Sequence, residues 1–370
     1  MDIKLRNRGA LLGLLINILA MGSILSPCFA ETPIKIGVIL CQTGFCAQTG
    51  TSSLKGVQLA SEEINATGGI LGHPVQLLVQ DTHEADSGSG AVTAFRAVTS
   101  DPAVGFIVGP TWDVGGLPLV PILKRAKNLI LISPSIGVVE FSGGSDNIFN
   151  LWPLDETAVK ALARFSIEKG FTRAGILSGQ LNWTQVQSRN FKNEFELGGG
   201  QVVSLEEPLP SQTDVSTEVT RVLQSKPDVI LLTQFAQMPP AAMKFRQQGF
   251  TGAFLSIQMD SDRIKSAHGA LEGTVFPRFQ APANQFVSSF QKRFSEQPQM
   301  SADTAYDSLF LIKKAAEKAG SIVPAKVRSE MEKVSFEGAS GAISFDENRV
   351  IRKVPALHRV SGDKYLELGD

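Results

Sequence analysis

The sequence predicts an α/β protein built as two doubly wound, Rossmann-like lobes joined by a three-strand hinge. Three observations carry this expectation. Short apolar runs alternate with amphipathic helical stretches along most of the 370 residues. The alternation pauses at Ile148-Phe149-Asn150-Leu151-Trp152-Pro153 and then restarts as a second unit of similar size. Extended passages near residues 150, 275 and 345 supply three connections between the units. A hinge of that kind leaves a cleft, which is where two-lobed proteins hold small ligands.

The elements follow in order. Ile34–Leu40 is an apolar run read as the first strand, and Ser52–Asn65 reads as a helix with Leu54, Val57, Ala60 and Ile64 on one face. Gly68-Gly69 stops that helix. Val75–Gln80 is the next strand, followed by helix Ala91–Thr99, strand Gly105–Val108, helix Leu117–Arg125 and strand Leu129–Ile132. After the pause come helix Ala158–Glu168, strand Arg173–Leu177, helix Gln185–Leu197, strand Gln201–Leu205, helix Val215–Gln224 and strand Val229–Leu232. Helix Ala241–Gln248 and strand Ala253–Ile257 complete the second unit. Two consecutive helices, Ala283–Glu296 and Ser301–Ala319, have no strand between them and pack best back on the first unit. Gly341–Phe345 and Arg352–Val360 read as a hairpin or crossover. The expected division is a leader over 1–30, one lobe over 31–149 plus 277–345, and the other over 150–276 plus 346–370.

The leader rests on Lys4, Arg6 and Arg8, an apolar stretch from Ala10 to Leu25, and the small-residue site Ser26-Pro27-Cys28-Phe29-Ala30. This is the pattern of a cleaved secretory signal, and the stretch is short for a bilayer span of about 20 residues. An acylated Cys28 is the lesser alternative, disfavoured by Pro27 directly before it. Without residues 1–30 the net charge moves from −1 to −3, which gives no reason to expect nucleic acid or an anionic membrane as partner. The leader therefore predicts an exported protein. Cys41 and Cys46 remain. An even pair in an oxidising compartment predicts a disulfide, with two free thiols as the alternative.

Enzyme signatures are missing from the sequence. There is no Gly-x-Ser-x-Gly elbow, no phosphate-binding Gly-x-x-x-x-Gly-Lys-Ser/Thr, no Gly-x-Gly-x-x-Gly after the first strand and no His-Glu-x-x-His. His73, His83, His268 and His358 stand singly among polar or turn residues, so neither a metal nor a cofactor is expected.

The segment Ile34–Asp81 carries a family pattern. Its pieces are strand Lys35–Leu40, the Thr43-Gly44 turn, Gly56…Ala60…Glu63-Ile64-Asn65 and Gly68-Gly69-Ile70-Leu71-Gly72. Val108-Gly109, Ile132-Ser133-Pro134-Ser135, Gly249-Phe250 and Ala305-Tyr306-Asp307 extend it over essentially the whole mature chain. In combination they resemble the periplasmic substrate-binding proteins of the leucine/isoleucine/valine-binding type. The resemblance implies the type I periplasmic binding fold, no enzymatic activity, and delivery of a small ligand to an ABC transporter permease. A sensory module that presents its closed state to a receptor is the alternative, and an enzyme on the same scaffold is a weaker one.

Ligands of open parallel sheets sit beyond the carboxyl ends of the strands. Those ends are Cys41–Gly44, Gly109–Gly116 and Ser133–Gly137 in one lobe, and Ser178–Trp183, Thr233–Gln237 and Gln258–Asp260 in the other. Each precedes a helix start whose N–H groups are open to a carboxylate. The candidate ligand residues are Thr43, Trp112, Asp113, Val114, Ser135, Ile136, Gly137, Trp183, Gln234, Phe235 and Gln258. The resemblance implies a hydroxyl residue where Trp112-Asp113-Val114 stands, a threonine near Ile136-Gly137, an aromatic at Trp183, a carboxylate at Gln258 and a tyrosine at Thr49. A buried ammonium without a counter-charge is costly. Either Asp113 therefore supplies the charge, or the ligand is a neutral amide or organic acid, with Trp112 and Trp183 on either side of a planar group. The structural alternatives are an N-cap for Asp113, a helix cap for Asp155, a lobe-sealing aromatic for Trp112 and, for Trp183, an aromatic that caps its helix against the lobe surface.

Overall fold

The structure, a computed structural model, describes residues 32–369 except 45, 85, 86, 235 and 280. The expected leader and Phe235 lie outside the described residues. The first part of the chain runs β1 (Ile34–Leu40), α1 (Ala47–Ala66), β2 (Val75–Asp81), α2 (Ser89–Thr99), β3 (Val104–Val108), α3 (Asp113–Gly116), a 3₁₀ turn (Leu117–Leu119), α4 (Val120–Leu123), β4 (Ile130–Ser133), α5 (Val139–Ser142) and β5 (Ile148–Asn150). Its five strands form an all-parallel sheet in the order β2-β1-β3-β4-β5.

The second part runs α6 (Asp155–Glu168), β6 (Arg173–Leu177), α7 (Asn182–Leu197), β7 (Gln201–Glu206), α8 (Ser216–Gln224), β8 (Val229–Leu232), α9 (Met238–Gln247), β9 (Ala253–Ser256), α10 (Ser261–Ser266) and β10 (Val275–Arg278). The chain then adds α11 (Asn284–Phe294), α12 (Ala302–Ala319), α13 (Pro324–Met331), the small hairpin β11 (Phe336–Gly338) and β12 (Gly341–Ile343), and finally β13 (Ala356–Ser361) and β14 (Lys364–Glu367). The second sheet has the order β14-β13-β10-β9-β8-β6-β7. It is parallel from β10 to β7, and β13 and β14 join antiparallel at one edge.

Both sheets are covered on both faces, which explains why their strands read as nearly unbroken apolar runs. In β1, Ile36, Val38 and Leu40 enter the core beneath α1 and α12, whereas Ile39 points into the opposite core with Phe95 and Val98 of α2. The same two-residue alternation sends Ile230 and Leu232 of β8 to one face and Val229 and Leu231 to the other. The helices that follow β10 return to the first sheet. Leu309, Ile312 and Ala316 of α12 share a core with β1, and Val327 and Met331 of α13 close it.

Several boundaries differ from the sequence reading. The continuous helix expected over Leu117–Arg125 is instead a 3₁₀ turn (Leu117–Leu119) followed by the short α4 (Val120–Leu123). Pro118 and Pro121 lack the N–H that a continuous helix requires. Helix α9 begins earlier than expected, at Met238, because Pro239 sits in its first turn, where a missing N–H costs nothing. The pause near residue 150 contains a true strand, β5, which closes the first sheet. The chain passes between the sheets over 151–154, between β10 and α11, and over 352–355, and Val350 bridges Asn150 in parallel beside the first passage.

Candidate functional site

The carboxyl ends of the two sheets face each other, and contacts join them. Asn182 at the start of α7 donates from Nδ2 to Asp113 Oδ2 at 2.8 Å. Trp183 packs on the core that contains Ile136, Val138 and Phe141 of the first lobe. At the first passage the Asp155 N–H donates to the Gly137 carbonyl at 2.9 Å.

The first wall begins at Cys41 and Cys46, which form a disulfide with Cα atoms 5.9 Å apart and tie the end of β1 to the start of α1. Within that bridge Thr43 donates from Oγ1 to Asp81 Oδ2 at 2.7 Å and lies 2.7 Å from His83 Nδ1. Thr43 thus belongs to an exposed corner with Asp81 and His83.

The turn after β3 is organised by a residue that the sequence reading did not single out. Glu84 is fully buried. Its carboxylate accepts from Thr82 Oγ1 at 2.5 Å, from the Thr111 N–H at 2.9 Å and from the Trp112 N–H at 2.6 Å. Burial pushes its carboxyl up to about 7 against these three bonds, and the neighbouring Asp113 adds to the rise. The expectation that this loop keeps its N–H groups for a ligand carboxylate is therefore corrected at Thr111 and Trp112, where the chain supplies its own. A Cβ on Gly115 would stand 2.7 Å from the Glu84 carboxyl carbon, so the turn is shaped around that group. The Val114 carbonyl lies close to Gly88 at the head of α2.

The turn after β4 is also internally satisfied. Ser135 donates from Oγ to the Thr111 carbonyl, and Ser133 Oγ accepts the Ile136 N–H at 3.2 Å. Asn150 donates from Nδ2 to the Ile136 carbonyl and to Ser142 Oγ. Ile136 is a core residue, and its expected contact with ligand is corrected for the side chain, which is buried among Leu119, Val138 and Phe141.

Gly137 and Asp155 form the centre of the site. Asp155 accepts from the Trp152 indole N–H at 2.9 Å through Oδ1 and from the Trp183 indole N–H at 2.7 Å through Oδ2. Burial raises its carboxyl to about 6, the two indole bonds oppose the rise, and the charge of Asp113 adds to it. Its expected role as a helix cap gives way to this one, because the α6 N-cap is Leu154 and no side chain caps it. Any Cβ at residue 137 would lie 2.1 Å from Asp155 Oδ2, so only glycine leaves room for the carboxylate. Asp113 heads α3, and burial raises its carboxyl too, with Glu140 adding to the rise and Asn182 opposing it.

The second wall carries polar groups of another kind. Gln234 and Gln258 follow the carboxyl ends of the neighbouring strands β8 and β9. Gln234 is 1% exposed. Its Oε1 and the Nε2 of Gln258 are buried without a hydrogen-bond partner among the described residues.

Among the described residues, no group of three His, Cys, Asp or Glu is placed to hold a metal ion. A hollow lined by Arg246, Ala253, Val275 and Arg359 lies at the opposite, amino ends of β9 and β10. The structure thus joins Asp113, Gly137 and Trp183 with Trp152 around Asp155, ties Trp112 to Glu84 through its backbone, places Gln234 and Gln258 at the carboxyl end of the other sheet, and leaves Thr43 at a separate corner. Sequence reasoning missed Glu84, Trp152 and Asn182. The run Trp152-Pro153-Leu154-Asp155, an aromatic and a carboxylate flanking a proline at the lobe crossing, was the one available signal.

Known proteins share this architecture. The chain is 24% identical over 339 residues to a leucine-, isoleucine-, valine-, threonine- and alanine-binding protein of Pseudomonas aeruginosa, covering 89% of this chain and 90% of that one. It is 28% identical over 205 residues to a Leu/Ile/Val-binding protein of Rhizobium johnstonii, and that match spans 54% of each chain. Among solved structures, a solute-binding protein of an ABC transporter from Rhodopseudomonas palustris, in complex with 3,4-dihydroxybenzoic acid, superimposes with a TM-score of 0.80 at 20% identity. That superposition covers 91% of this chain and 96% of the other. The sequence pattern of the family described as periplasmic binding protein matches residues 33–360, and the chain accordingly belongs to that family of non-enzymatic ligand-binding proteins.

Proposed function

We propose that this chain is an exported solute-binding protein that closes two lobes around a small polar molecule and delivers it to an ABC transporter permease. The observation that carries this reading is the pair of buried, unpartnered amide atoms, Gln234 Oε1 and Gln258 Nε2, at the carboxyl end of the second sheet. Buried polar groups without partners are rare and costly, and a ligand that supplies both a donor and an acceptor relieves them. The opposite wall offers Trp112, Asp113 and Asp155, which suits an orienting polar contact beside an aromatic surface. The lobe limits read from the sequence, 31–149 plus 277–345 and 150–276 plus 346–370, belong to this reading, as does cleavage after Ala30.

The relatives suggest where to begin, with branched-chain amino acids and small aromatic acids. Isothermal calorimetry of the protein freed of carried ligand, against amino acids, amides and small organic acids, is the test. The expected result is saturable one-to-one binding for at least one class. Absence of binding across all three would remove the transport reading. Amino-terminal sequencing of the protein from an exporting host should begin at Glu31.

A further inference from the structure

We infer that the cleft selects a cationic ligand that has no carboxylate, an amine or guanidine carrying a neutral amide or hydroxyl group. This deepens the proposed function and rests on its reading of the cleft. The first argument is the occupancy of the anion positions. The Thr111 and Trp112 N–H groups, which would otherwise meet a ligand carboxylate, both donate to Glu84. At the next turn the bare Cα of Gly137 is covered by Asp155. Two of the three first-lobe turns are thus filled by carboxylates of the chain itself.

The second argument is the sign of the remaining charge. Asp113 stands at the lobe interface with Oδ2 bound to Asn182. The charges that act on this group of carboxylates are themselves carboxylates: Asp113 on both Glu84 and Asp155, and Glu140 on Asp113. The buried cations of the molecule's hinge side, Arg278 and Lys353, act on Asp303 instead. A second anion brought to Asp113 would meet repulsion, with the Thr111 and Trp112 N–H groups already given to Glu84, whereas a cation would relieve it.

The third argument is independent of charge. Among the described residues, Gln234, wholly inside the protein, keeps Oε1 without a partner, and Gln258 keeps Nε2 without one. Both lie at the same sheet end as Asn182 and Trp183, which contact the first lobe. A group that donates to the one and accepts from the other, a neutral amide or hydroxyl, matches both atoms. A carboxylate, which accepts only, does not.

The decisive comparison uses matched pairs that differ only in the group at issue: leucine against leucinamide, and phenylalanine against phenylalaninamide, titrated calorimetrically at pH 7 with agmatine and benzoate alongside. The expected result is at least tenfold tighter binding of each amide than of its parent acid, with no heat from benzoate. An acid that binds as tightly as its amide overturns the inference and leaves the solute-binding reading intact. No binding by any of the six compounds, with none from a wider amine panel, overturns both. Asp113→Asn keeps the shape and the Asn182 contact and should cost the amides at least tenfold in affinity without lowering the melting temperature. Undiminished amide affinity in that variant would overturn the assignment of the positive charge to Asp113.

Discussion

Replacing Trp183 by Phe removes one N–H from the centre of the cleft and leaves most of the ring in place. The indole lies 2.7 Å from Asp155 Oδ2. A hydrogen bond to an ionised group contributes about 1.5–3 kcal/mol, and to a neutral one about 1 kcal/mol. Which value applies depends on pH, because Asp155 titrates near 6 in the folded protein and at an ordinary 3.8 otherwise. Below pH 4 the group is protonated in both states. As pH rises, the unfolded chain releases its proton first, so the raised value means that stability is lost up to and through pH 6. Loss of the indole donor raises the folded value further, by about one unit for each 1.4 kcal/mol. The penalty of Trp183→Phe should therefore be about 1 kcal/mol at pH 5 and about 2–3 kcal/mol at pH 8. The small packing loss from the narrower ring adds equally at both. Urea unfolding of both proteins, followed by far-ultraviolet circular dichroism at the two pH values, measures the difference. A penalty equal at pH 5 and pH 8 would refute the reasoning, since a purely steric role for Trp183 carries no pH dependence.

Three further outcomes follow from the same geometry. Gly137→Ala puts a methyl carbon 2.1 Å from Asp155 Oδ2 and should destabilise by about 2–3 kcal/mol. Adding Asp155→Ala should recover part of that loss, and strict additivity in the double-mutant cycle would show that the two sites do not touch. Glu84→Gln should flatten the fall in stability that the native protein shows between pH 4.5 and about 7, a fall of about 3 kcal/mol for one carboxyl raised to about 7; parallel pH curves for the two proteins would exclude it. Removing the short bridge with Cys41→Ser and Cys46→Ser should cost about 2 kcal/mol, and reductant should produce the same shift in the native protein but none in the variant.

The fold was legible because its determinants are local. Strands covered on both faces must be apolar at nearly every position, as Ile230, Leu231 and Leu232 are, and such runs stand out in the sequence. What escaped depends on atoms brought together from afar. Glu84 is one acidic residue in a polar stretch, and its role exists only because the turn after β3, 27 residues on, aims Thr111 N–H at it. Gly137 was readable as a departure from the family, but its reason, the Asp155 carboxylate from the next lobe, was not. Asp155 looked like an ordinary start to a helix, and its two indole donors come from residues 3 and 28 positions away in sequence. The hydrogen bond between Asn182 and Asp113 depends on how the lobes meet, which no local pattern encodes.

The chain contains three tryptophans, and all three stand where the lobes meet: Trp112 at the head of α3, Trp152 on the first passage and Trp183 at the head of α7. Light absorbed at 295 nm therefore excites this one region and no other part of the molecule. Two of those indoles touch a carboxyl that changes charge near pH 6, and one also packs on the opposite lobe. The protein thus carries its own optical probe of the cleft, so emission intensity and wavelength can follow lobe closure and ligand occupancy in real time without an attached dye.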